Sequence, residues 1–159
     1  MKRYIYMGIC IALAIVLGIF EGMLPAPSTV PGIKLGIANL VVLFVLYRMG
    51  AKEAITVSVC RGLFNVVLFS ASSGIYSIVG GLISVIIMVL LRKHLHRVTV
   101  SICGSVGHIF GQLVIAALIV GVGPIAYYAP ILMASAIICG VVIGVLGDIL
   151  IRRVWIDTV

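Results

Sequence analysis

Two polar pairs interrupt long aliphatic runs: Arg61 with Asn65, and His108 with Gln112, each pair four residues apart. That spacing puts both members on one face of a helix, a turn apart. A guanidinium with an amide, and an imidazole with an amide, suit an anionic or multiply hydrogen-bonding ligand. Glu21 and Asn39 add a carboxylate and a second amide in further apolar runs. Two readings of this set stand side by side. The six side chains could line one small-molecule site, or they could form a polar girdle in which the amides bond across helices and Arg61 is satisfied by Glu21 or by helix-terminal carbonyls.

The elements that must position them follow from composition. Of the 159 residues 64% are hydrophobic and 9% charged, too few polar groups to wet the surface of a soluble domain. The bilayer is therefore the solvent, and a crossing of its roughly 30 Å hydrocarbon core takes about 20 apolar residues. The chain predicts an all-α polytopic membrane protein, a single domain over 1–159, with about six transmembrane helices near 4–24, 35–49, 53–71, 75–91, 98–122 and 131–151. The second is short: fifteen residues rise about 22 Å, so it must borrow from its flank or thin the bilayer. Arg61 then lies about 12 Å into the third helix, near the midplane, where an ionisable group costs several kcal/mol and needs a partner or a role. His108 falls at matching depth on the fifth.

Charge orients the bundle. Lys2, Arg3, Arg48, Lys52, Arg92, Lys93, Arg97, Arg152 and Arg153 occupy alternate breaks, and Lys34 alone occupies the others. By the positive-inside rule the first set is cytoplasmic, so both termini are cytoplasmic and the protein is a multi-pass protein of the cell membrane. The formal net charge of +7 thus meets lipid headgroups, with no nucleic acid as partner. Asp148 can neutralise itself with Arg152 one turn on, and Glu53 suits the positive end of the third helix. On the outside, Pro25, Pro27 and Pro31 punctuate one loop, and Gly123, Pro124 and Pro130, with Tyr127 and Tyr128 between them, punctuate a second. Both are candidate caps over an outward-facing cavity.

Cys10, Cys60, Cys103 and Cys139 sit singly in apolar runs with no spacing that could hold zinc, and no cofactor is called for. Small residues recur four apart in the first helix, at Gly8 and Ala12 and at Ala14 and Gly18, a pattern that lets another helix approach closely.

The run Pro31-Gly-Ile-Lys34-Leu-Gly36-Ile-Ala-Asn39, then Arg61 with Asn65, Tyr76 ahead of Gly80-Gly81, and Gly107-His108-Ile-Phe-Gly111-Gln112, resembles the family called Gx transporter, also labelled heptaprenyl diphosphate synthase component I. That family in turn looks like the substrate-binding S-components of energy-coupling-factor (ECF) transporters. The resemblance implies a small-molecule ligand under a long outer loop, a first helix whose Gly8, Ala12, Ala14 and Gly18 touch a coupling subunit, and a separate ATPase. The synthase label sits poorly with the residues. A prenyl diphosphate synthase clusters aspartates around magnesium, whereas the aspartates here are Asp148 and Asp157 alone, and no phosphate loop is present. A noncatalytic membrane component in prenyl or quinone-linked metabolism is the alternative to a transport subunit; neither is an enzyme.

The orientation is tested by His94→Cys in a cysteine-free background. An impermeant maleimide should leave it unlabelled in intact cells and label it after lysis; labelling in intact cells reverses the topology.

Overall fold

A bilayer offers the backbone no hydrogen-bonding partners, so an apolar chain can satisfy its amides only by coiling on itself. The computed structural model describes residues 2–23 and 36–154, and all its regular elements are helices: α1 (Lys2–Met23), α2 (Asn39–Arg48), α3 (Ala51–Leu68), α4 (Ala71–Leu91), α5 (Arg97–Val120) and α6 (Val122–Arg153). The proline loop at 25, 27 and 31, Lys34 and Asp157 lie outside the described residues. Four helices, α1, α4, α5 and α6, are long and apolar enough to cross a membrane. α3 has 18 residues, about 27 Å, but carries Lys52, Glu53 and Arg61. α2 has only ten residues, about 15 Å, and is entered through a tight turn in which Asn39 N–H donates to the Gly36 carbonyl at 2.8 Å.

Consecutive helices pack side by side from α3 to α6, and α2 closes the ring against α3, α4 and α6, while α1 leans on α3 and α2 from outside. Residues that relieve the backbone make the turns. Gly50 at φ +130° joins α2 to α3, and Gly121 at φ +99° joins α5 to α6, both in a region that side chains avoid. Ser70 caps α4 by accepting from Ser73 N–H at 3.1 Å.

One expectation fails here. The stretch from Gly123 to Pro130 is no loop: α6 starts at Val122 and runs for 32 residues through both prolines. Pro124 occupies the first helical turn, where an amide hydrogen would have no intrahelical acceptor anyway. Pro130 costs one internal bond, a loss that membrane helices absorb by local adjustment. Tyr127 and Tyr128 are therefore helical, packed edge to face with ring centroids 5.4 Å apart.

The molecule is turned inside out relative to a soluble domain. Ile9, Leu13, Val16, Phe20, Leu118, Ile138 and Val142 face outward, while Arg61, Asn65, His108 and Gln112 are buried. One apolar cluster of α1 to α5 centres on Leu43, Leu46, Val57 and Met88; a second joins α4, α5 and α6 around Tyr76, Ile109, Leu132 and Ala136. The basic breaks meet at one end of the bundle. Arg3 pairs with Glu53, Arg48 donates to the Ile151 carbonyl, and Arg97 and Arg152 hold Asp148 at 2.7 and 2.9 Å. The cation expected to neutralise Asp148 is thus joined by a second one, from α5.

Glycines set the helix spacing. A methyl on Gly140 would come within 2.7 Å of the Ile102 Cα, and one on Gly111 within 2.9 Å of the Gly80 Cα, backbone atoms that cannot step aside. Gly140→Ala should cost roughly 1–3 kcal/mol, lowering Tm by at least about 2 °C. Gly8→Ala, which meets open space, should leave Tm unchanged in the same thermal-unfolding assay.

Candidate functional site

Between the two apolar clusters runs a polar belt, and α4 is its spine. Ser73, Ser77, Gly80, Gly81 and Ser84 fall on the buried face of α4 at helical spacing. The serines present hydroxyls and the glycines let α3 and α5 come close. Asn65 of α3 donates to Ser77 Oγ at 2.7 Å, and Asn39 of α2 donates to Ser84 Oγ at 2.9 Å. On the other side of α4, His108 Nε2 and Gln112 Nε2 of α5 are 2.9 Å apart. A methyl on Gly80 would stand 3.1 Å from His108 Nδ1 and 3.0 Å from Gln112 Cγ. Glu21 of α1 accepts from the Gly36 amide. His108 also flanks Gly36, whose missing side chain would otherwise stand 3.3 Å from the imidazole Cδ2.

All six sequence-predicted residues are thus buried, at 6% exposure or less, and are joined through α4 and the turn at Gly36. α3 and α5 share no extensive contact of their own; α4 lies between them, and RxxxN and HxxxQ meet it at the same level. The α4 serines were missed. Their signal was present in the sequence, since serine at 73, 77 and 84 with Gly80 and Gly81 between them makes a small polar stripe in an otherwise aliphatic helix. Ser58 of α3 was missed as well; its hydroxyl is buried with no hydrogen-bond partner among the described residues.

Arg61 differs from the others. It is 3% exposed, and its Nε and Nη2 have no hydrogen-bond partner among the described residues. Nη2 lies against Gly81, 3.3 Å from where a Cβ would stand. Glu21 acts on it through space, with no direct ion pair between the two. The amides are thus tied to serines while the cation is left with donors to spare, in surroundings where an unsatisfied charge is costly. Asn39 Oδ1 is another open acceptor among the described residues. Among the described residues no three His, Cys, Asp or Glu side chains gather to hold a metal.

The four small residues of α1 do not share a face. Ala14 and Gly18 are buried, with Gly18 facing Asn65, whereas Gly8 and Ala12 point outward.

Fold and site together define a polytopic α-helical membrane protein with a buried polar belt and a cation at its centre. Residues 10–150 match the profile of the heptaprenyl diphosphate synthase component I family, and the chain belongs to that family. No curated protein and no solved structure matches it.

The Asn39–Ser84 bond can be measured by a double-mutant cycle with Asn39→Ala and Ser84→Ala. The coupling should be about 0.6 kcal/mol and no more than about 1.7, the range of interhelical polar contacts in membranes. A value of zero would remove this bond from the belt.

Proposed function

We propose that this protein is a membrane-embedded, noncatalytic binding subunit that holds an anionic small molecule at Arg61 and works with partner subunits. The observation that carries the reading is the buried guanidinium with open donors. A ligand carboxylate or phosphate would supply the directly bonded acceptors that the described residues do not, where Glu21 acts only through space. Asn39, Asn65, His108, Gln112 and Glu21 would shape the rest of the site. In this reading the protein resembles an S-component: it binds a solute on the outer side of the cell membrane, with both termini cytoplasmic, and a separate coupling subunit and ATPase drive uptake. The outward-facing Gly8 and Ala12 are the part of the α1 stripe open to such a coupling subunit.

Membership of a family named as one component of a synthase favours a second reading, in which the protein is the noncatalytic membrane partner of a soluble prenyl synthase. What copurifies separates the two. Native mass spectrometry of gently solubilised protein should report a bound small anion with an ATPase complex in the first case, and a soluble synthase in the second.

Arg61→Met tests the site itself. Replacing a buried unsatisfied charge by an apolar side chain should leave the ligand-free protein as stable as before or more so. The bound anion should disappear from the native spectrum, a loss of at least about a hundredfold in affinity. A variant that is destabilised when empty yet keeps its ligand would make Arg61 a structural tie and end this reading.

A further inference from the structure

Away from this site, the basic end of the bundle is hollowed into an open bowl of about 560 Å³, walled by Tyr47, Arg92, His96, Arg97, Asp148 and Arg152. Basic loops are ordinary at one face of a membrane protein. Here, however, the arginines come from three separate elements and each is held in place. Arg97 Nη1 binds Asp148 at 2.7 Å and its guanidinium lies over the Tyr47 ring, 5.4 Å from the centroid. Arg152 binds the other Asp148 oxygen through Nε at 2.9 Å, and Arg92 Nη1 donates to the Leu46 carbonyl at 3.1 Å.

A guanidinium has five N–H donors, and each of these bonds engages only one nitrogen. The bowl therefore presents fixed donors whose ordering cost is already met by protein contacts. Three guanidinium groups against the one Asp148 carboxylate leave two positive charges uncompensated on its wall. Arg92 has no carboxylate partner among the described residues. The Tyr47 ring forms part of the wall and carries the Arg97 guanidinium. The N-terminus of α5, capped by His96, adds its partial positive charge. Planar donors in pairs from three sides and a net charge of two match a tetrahedral oxyanion better than a carboxylate, which offers only two oxygens.

We infer that this bowl binds a phosphate group, presented either by an anionic phospholipid of the surrounding leaflet or by a phosphorylated solute. It stands apart from the Arg61 site, and either can fail without the other.

The test is thermal unfolding of the protein in nanodiscs. In phosphatidylcholine discs, inorganic pyrophosphate is titrated at constant ionic strength; in a second series phosphatidylglycerol replaces part of the lipid. A saturable rise in Tm with pyrophosphate identifies a solute site, and a rise with phosphatidylglycerol alone identifies a headgroup site. Arg92→Gln should weaken the effective ligand about tenfold or more, whereas Lys93→Gln, which removes the same charge from the neighbouring position outside the bowl, should not. If Arg92→Gln does not fold, Arg152→Gln takes its place, removing a guanidinium from the bowl at an exposed side chain while Arg97 keeps Asp148 paired. The inference is overturned if neither ligand raises Tm, or if Lys93→Gln weakens the effect as much as the variant within the bowl.

Discussion

The approach of α3 and α5 to the two faces of α4 is the constraint on which the rest depends. At Gly74, Gly80 and Gly111 the helices come so near that a single methyl would strike a neighbouring backbone atom. Only at that separation can short side chains span the gap, so that a serine hydroxyl on α4 reaches an asparagine on α3 and another reaches α2. Without glycine the helices would stand further apart and the belt would fall into separate unsatisfied groups. Dispersion contacts between backbones add to this, since lipid offers no hydrophobic drive for one helix to prefer another.

The belt divides into groups that are settled and a group that is not. Interhelical amide–serine bonds are individually modest and hold the helices in register. Arg61 is of a different order, because an ion inside a bilayer is worth far more, with either sign, than any neutral pair. A protein that only needed cohesion could have placed leucine there. The cost of keeping the guanidinium is the physical content of the binding proposal. The chain sits in a family named as one component of a synthase.

Much of this was legible in the sequence, for an identifiable reason. Expensive residues announce themselves: Glu21, Asn39, Arg61, Asn65, His108 and Gln112 each violate the hydropathy of their run, and all six are buried. The serines did not stand out, because a hydroxyl can return its hydrogen bond to its own helix and barely disturbs an apolar pattern. Prolines misled in the opposite way. In water they end helices, but α6 carries Pro124 in its first turn and Pro130 in its interior, and the break between α5 and α6 falls at Gly121 instead. The small-residue spacing of α1 held as a pattern yet split between two faces, since Ala12 and Ala14 lie two positions apart and so nearly opposite one another. α2 was expected to be short and is shorter still, because its first residues are spent on the turn at Gly36.

That shortness bears on how the protein is made. The ring closes where α2 meets α6, at a contact between Arg48 and Ile151 that spans 103 residues of sequence. The other strong junctions join helices adjacent along the chain, or α1 with α3, and can form well before α6 leaves the ribosome. A ten-residue helix is too short to sit alone in a bilayer, so α2 must be sheltered by its neighbours or by the insertion machinery until α6 emerges. Biogenesis thus has a single late, non-local step, and an arrest of synthesis before α6 would leave an open crescent with α2 exposed on its rim.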